Sequence, residues 1–232
     1  MKTYYVSPHY DDAIGSCGGK IYFDFLSNIS STIITVFSEV EEPFSEYAKK
    51  LHDYWKIENP YLERKKENEN ACIIVKAHEI NLPYKDAIYR SCNNKYLYPN
   101  DGDIFNPINS LDNDLCNQII ENIKSIIKKD DIVYFPLGVG NHVDHMIVHN
   151  VGVILKKEGY NIKFYRDFSY KCDLVLNNEY KKNIFKLSDE LIEKKSIAMS
   201  KYVSQIEMLF ENKEKIIDYY KIKLKGIEEY YE

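Results

Sequence analysis

Short runs of β-branched and aromatic residues alternate along this chain with longer stretches of helical period, and that alternation restricts the fold more than any other feature. A strand, a helix and a second strand in succession close most readily as a parallel pair with a crossover helix on one face. Repeated, the unit predicts an α/β fold: a Rossmann-like, mostly parallel sheet flanked by helices. Strands are expected at residues 3–7, 31–37, 79–82, 132–137 and 162–168, and helices near 15–26, 45–55, 61–77, 111–127 and 142–158. The last forty or so residues read as charged helices, 188–210 and 213–230, packed on one edge of the sheet. Residues 83–107 carry Asn, Asp, Gly, Pro and Tyr without a period, which marks a candidate substrate loop.

A chain of 232 residues can bury a full core as one domain, and a single domain over 1–232 is expected. With 44% hydrophobic and 29% charged residues it has the balance of a chain that folds in water. No apolar run approaches the ~20 residues of a membrane span. The net charge of −5 argues against nucleic-acid binding. The first residues have no apolar core of a secretory leader, which predicts a cytoplasmic protein. Cys17, Cys72, Cys92, Cys116 and Cys172 are odd in number and lack a C-x-x-C pair, so reduced thiols are expected.

In open parallel sheets ligands bind beyond the carboxyl ends of the strands. The loop after the first strand reads Pro8-His9-Tyr10-Asp11-Asp12, and the loop after the fourth reads Asn141-His142-Val143-Asp144-His145. If those strands are neighbours, the imidazoles of His9, His142 and His145 and the carboxylates of Asp11, Asp12 and Asp144 meet in one crevice. Ionisable groups crowded in that way repel or lose charge on desolvation unless a cation holds them. Nitrogen and carboxylate donors without thiolate favour a catalytic Zn2+ with a position left open for water, and Fe2+ or another divalent ion suits the same set. Adjacent Asp11 and Asp12 point different ways, so one can bind metal while the other faces the attacking water. His142 and His145, three apart at a helix start, can turn into the same site.

These segments resemble the PIG-L/LmbE deacetylase family. Ser7-Pro8-His9-Tyr10-Asp11-Asp12-Ala13 with Gly18-Gly19 is similar to that family's P-H-P-D-D-E signature and its glycine pair, and His142-Val143-Asp144-His145 to its H-P-D-H. Arg64 with Glu67 and Ala71 resembles the R-x-x-E helix, and Lys195 with Ala198, Tyr202 and Ser204-Gln205 the C-terminal K-x-x-A and S-Q. The resemblance implies that His9, Asp12 and His145 hold zinc, that Asp11 is the general base, and that His142 stabilises the oxyanion and protonates the leaving amine. It implies further that Asp144 orients His142, that Arg64 contacts a polar part of the substrate, and that Asp86 binds substrate hydroxyls. Tyr10 and Ala13 depart from the signature, where proline and glutamate are usual.

The activity so implied is hydrolysis of an N-acetyl or related N-acyl group on an N-acetylglucosamine-type sugar or glycoconjugate. The partner is then a small N-acylated molecule, with a homo-oligomer left open. Competing readings are an amidase for a natural-product or thiol-conjugate amide, a non-catalytic metal- or sugar-binding protein on the same fold, and a phosphoacceptor domain, against which the His-x-Asp-His segment argues. His149 follows His145 by four, but Met146 stands where a zincin needs its glutamate, so His149 reads as structural.

Overall fold

The computed structural model describes residues 2–168, 170 and 180–232, so Cys172 lies outside the described residues. In chain order the first half comprises β1 (Thr3–Ser7), α1 (Asp12–Leu26), β2 (Ser31–Thr35), α2 (Glu46–Trp55), α3 (Pro60–Val75), β3 (His78–Asn81) and the short pair β4 (Ser91–Cys92) and β5 (Lys95–Tyr96). The second half comprises α4 (Leu115–Ile126), β6 (Ile132–Pro136), α5 (Val143–Lys157), β7 (Asn161–Tyr165), β8 (Lys182–Lys186), α6 (Asp189–Met199), α7 (Val203–Phe210), α8 (Lys215–Asp218) and β9 (Ile227–Tyr231).

The strands form a seven-stranded sheet in the order β3-β2-β1-β6-β7-β9-β8. From β3 to β7 all neighbours are parallel, and β9 and β8 add antiparallel. The alternation of side chains across the pleat explains why both faces are apolar. Tyr5, Ile33, Tyr134 and Tyr165 point to the face covered by α1, α3 and α6. Tyr4, Val6, Ile34, Val133, Phe135 and Phe164 point to the other, covered by α4 and α5. Tyr5 and Tyr134 stack across β1 and β6 with ring centroids 4.8 Å apart.

The C-terminal region differs from the sequence expectation. Helix α6 lies on a face of the sheet against α1 and α3, and the edge is taken by β9 and β8. The charged run before the C-terminus is broken at Lys225 and Gly226, both at positive φ, after which Glu228 and Tyr230 turn inward as a strand. The helix expected over 188–210 is interrupted between α6 and α7, where the hydroxyl of buried Tyr202 lies within hydrogen-bond reach of Tyr10 O (2.8 Å) and Asn68 Oδ1 (2.9 Å). Among the described residues Cys17, Cys72, Cys92 and Cys116 are free thiols, and no helix is long and apolar enough to cross a membrane.

β1 is the switch point of the sheet. The chain leaves it through α1 to β2 on one side, while β6 pairs on the other, so the loops after β1 and β6 border one crevice. The glycine pair in α1 serves this packing. A Cβ on Gly19 would lie 2.4 Å from Leu187 Cδ2, and the Gly19 and Lys20 amides donate to the Glu228 carboxylate at 2.9 and 3.0 Å. Lys195 closes the arrangement, donating to Glu228 Oε1 (2.8 Å) and Ser16 O (3.1 Å).

Candidate metal centre

The loop after β1 is held in a tight turn by its own polar groups. Ser7 Oγ accepts from Ala13 N (2.9 Å) and contacts His9 O, and His9 N donates to Asp12 Oδ2 (2.8 Å). The turn leads straight into α1, which begins at Asp12, earlier than the periodicity suggested. On the facing side, Gly138 and Gly140 take positive φ and carry the chain from β6 to His142, the N-cap of α5.

Three imidazoles thereby meet, with ring centroids of His9, His142 and His145 between 5.0 and 5.5 Å apart. His9 Nδ1 lies 3.1 Å and His145 Nε2 3.2 Å from the same oxygen, Asp12 Oδ2. His9, Asp12 and His145 offer donor atoms all within 4.8 Å of one another, as do His9, His142 and Asp144. His145 Nε2 is buried without a hydrogen-bond partner, whereas its Nδ1 is held by Asp167 Oδ1 at 2.5 Å. An orphaned ring nitrogen, aimed with a second imidazole at one carboxylate oxygen, fits a bound divalent cation. Electrostatics agree. Burial opposes charge on His9 and His145, yet the surrounding carboxylates outweigh it, raising His9 well above the usual range and His145 to about 9. The crevice therefore carries excess negative charge that a metal would neutralise.

Asp11 points away from that cluster to Arg64 Nη2 of α3 (3.3 Å). Burial raises the Asp11 carboxyl, and Arg64 restrains the rise. Arg64 itself lies over the Trp55 ring, its guanidinium carbon 5.3 Å from the centroid. One helical turn on, Glu67 accepts from Ser204 N and Ser204 Oγ at 2.7 Å each, which ties α3 to the start of α7. Asp86 reaches the crevice from the segment after β3, with Oδ2 3.6 Å from His9 Nε2. His142 Nδ1 accepts the Asp144 amide (3.2 Å), so the neutral ring carries its proton on Nε2. Burial first, and the charge of His9 second, push His142 down to about 3, keeping it neutral.

The Asp144 carboxylate does not orient the His142 ring as the resemblance implied. It faces Arg90 Nη1 (2.5 Å), Ala87 N (3.0 Å) and His9 Nε2 (3.0 Å), because Arg90 captures it from the segment after β3. The hydrogen bond of Asp144 to His142 is made by the backbone amide. Asp167 and Arg90 were not anticipated. Asp167 follows β7, the strand beside β6, so the rule that pointed to the other two loops would also have found it. Residues 83–107 are well anchored: Ala87, Ile88, Tyr89, Tyr98 and Ile104 join Ala48, Trp55 and Val143 in a third apolar cluster. His149 is a structural group, with Nδ1 3.1 Å from Pro136 O.

His9, Asp11, Asp12, Asp86, Arg64 and His142 open into a cavity of about 870 Å³. Trp55, Phe105, Met208, Phe210, Tyr219 and Ile222 also line it, together with the charged Glu211, Lys215, Asp218 and Lys223.

Fold and crevice define a class: a Rossmann-like α/β protein with a histidine–carboxylate site of metal-binding geometry at the switch point of its sheet. The chain belongs to the PIG-L family, whose family model, GlcNAc-PI de-N-acetylase, matches residues 4–155. It is similar to a 2'-N-acetylparomamine deacetylase of Niallia circulans, 25% identical over an alignment 186 residues long that covers 72% of this chain and 66% of that protein, just under two-thirds of its length. Among solved structures, the zinc-inhibited form of a teicoplanin deacetylase superposes over 100% of this chain and 97% of its own, with a TM-score of 0.84 and 21% identity. The A40926 pseudoaglycone deacetylase covers 99% and 96%, with a TM-score of 0.80 and 22% identity. At these identities the solved structures establish a shared fold.

Proposed function

We propose that this chain is a zinc-dependent N-deacetylase, releasing acetate and a free amine from an N-acetylated amino sugar carried on a larger conjugate. The observation that carries the reading is the buried Nε2 of His145, which makes no aligned hydrogen bond and faces Asp12 Oδ2 at 3.2 Å alongside His9, beside the cavity that Asp11 and His142 line. His9 through Nδ1, Asp12 and His145 through Nε2 are the metal ligands. Zinc held there supplies Lewis-acid polarisation of the amide carbonyl and acidifies a water molecule.

Asp11, outside the ligand set and raised by burial, accepts the proton of the attacking water. His142, neutral with its proton on Nε2, donates a hydrogen bond to the oxygen that gains charge as water adds to the amide carbonyl. Asp11, protonated in that step, returns the proton to the leaving nitrogen as the C–N bond breaks, while His142, its Nδ1 held by the Asp144 amide, keeps the Nε2 hydrogen bond to the oxygen. Arg64 holds Asp11 in position and Asp86 offers a carboxylate to substrate hydroxyls. The aromatic and aliphatic residues among the cavity lining support a conjugate with an apolar portion over a bare monosaccharide. The deacetylase relatives named above support the acetyl group. Residues 1–232 act in this reading as one catalytic domain.

The test is acetate and primary-amine release by the zinc-loaded chain from N-acetylglucosamine and from N-acetylglucosaminides with alkyl or aromatic aglycones. Release in equal amounts, faster from the apolar glycosides, is expected. No release from any of them would contradict the reading.

A further inference from the structure

Arg90 is 6% exposed and does not line the cavity, yet it pairs with two buried carboxylates, Asp112 and Asp144, beside the metal loop. Its Nη1 donates to Asp144 Oδ1 (2.5 Å) and to Lys85 O (3.2 Å), and its Nε lies 3.0 Å from Asp112 Oδ2. The guanidinium is sandwiched between the rings of Phe37 and Tyr98, each centroid 5.1 Å from its central carbon. Tyr98 OH in turn donates to Asp112 at 2.7 Å, which fixes the second carboxylate. A planar cation packed against two rings and held between two carboxylates is closely confined, although its Nη2 has no hydrogen-bond partner.

What that position controls is Asp144. Its side chain is fully buried, and Oδ1 lies 2.5 Å from Arg90 Nη1. With Oδ1 occupied by Arg90, Oδ2 is left to the Ala87 amide and to His9 Nε2, both at 3.0 Å. In the neutral ring that binds a metal, a carboxylate accepting from Nε2 places the proton there and leaves Nδ1 as the lone-pair nitrogen, the one that faces Asp12 Oδ2. The chain of contacts runs from a stacked arginine, through one carboxylate, to the ring orientation and tautomer of a metal-facing histidine.

We propose that Arg90 is a positioning residue for the metal site: through Asp144 it sets the tautomer and ring orientation in which His9 binds the metal. The proposal rests on the metal-site reading above. It also gives residues 83–112 a role other than covering substrate, since this segment supplies Arg90, the Ala87 amide and Asp112 to brace the β1 loop.

The experiment is a double-mutant cycle read as the zinc dissociation constant, measured by competition with a chromophoric chelator on the full chain. Loss of an outer partner of a metal-bound histidine costs roughly 10–100-fold in metal affinity. Arg90→Gln is expected to weaken zinc binding by about that factor in the native background and by less than about threefold when Asp144→Asn is already present. A merely structural arginine would weaken binding equally in both backgrounds, and that result, like an unchanged affinity in the native background, would overturn the proposal. Arg90→Lys keeps the buried charge and guards against misfolding. It cannot bridge both carboxylates, and a smaller loss is expected that again disappears with Asp144→Asn; equal losses in both backgrounds overturn the proposal here too. If the unsubstituted chain bound no zinc, the metal-site reading itself would fail, whereas zinc binding with an additive cycle would remove Arg90 alone.

Discussion

His145 Nδ1 stands 2.5 Å from Asp167 Oδ1, and this contact decides which nitrogen of the ring faces the crevice. Asp167 is itself fixed by the Val139 amide, 3.0 Å from its other oxygen. Replacing Asp167 with Asn keeps the volume and removes the charge that supports His145. Asp167→Asn is expected to weaken zinc binding by about 10–100-fold while the folded secondary structure is retained, read by chelator competition and circular dichroism. Unchanged affinity would mean that the ring is oriented by its packing alone.

Asp11 and His145 occupy different sides of the same loop pair and should separate in function. Asp11 is turned to Arg64, whereas His145 belongs to the donor set. Asp11→Asn is expected to bind zinc with near-native stoichiometry and to lose turnover by roughly 10²–10⁴-fold. His145→Ala is expected to lose zinc as well as turnover. Equal metal loss in the two variants would contradict the division of roles.

The pH dependence of the metal-free chain follows from the histidines. His145 is depressed by burial but raised further by Asp12 and Asp167, reaching about 9 from 6.5. A base raised on folding adds stability that is complete below 6.5 and lost as pH climbs through 9. His9 is shifted in the same direction. His142 is pushed down to about 3, so its effect falls between 6.5 and 3, where protonation of the unfolded chain draws stability away as pH falls. Urea unfolding of chelator-treated protein should therefore show falling stability between pH 6.5 and 9, with zinc affinity rising over the same range because the metal displaces the proton. A flat zinc affinity across that range would place the raised pKa elsewhere.

Gly152 tests the packing that carries His145. A Cβ there would lie 2.7 Å from Phe135 Cγ and 3.0 Å from Phe164 Cε1, where α5 crosses β6 and β7. Gly152→Ala is expected to cost about 1–3 kcal/mol through overpacking, despite the gain in helix propensity, read as a lower midpoint in denaturant unfolding. Equal or greater stability would show that α5 can shift without strain.

The elements that hold the site were legible because their signals are local. Thr3–Ser7 has its strand bounds in the sequence itself, and the two His-Asp segments follow strands that do pair, Tyr4 with Val133 and Tyr5 with Tyr134. The C-terminal edge was not legible. Ile227–Tyr231 continues a charged run, and it becomes a strand by pairing along its length with Lys182–Lys186 and with Phe164 and Tyr165 some sixty residues earlier. That long-range pairing overrides local propensity. In the site, the roles of Asp144 and Arg90 depend on where an aperiodic segment returns to the sheet, which spacing does not encode. Asp167 was within reach of the strand-end rule, but it stands alone, without a neighbouring histidine in sequence to draw attention to it.

The central claim, a metal held by His9, Asp12 and His145, is tested most directly by elemental analysis of the full chain purified without chelator, beside the His145→Ala variant. About one zinc or other divalent ion per chain, absent from the variant, is the predicted result. A folded chain that carries no metal and takes up none from added zinc would contradict it.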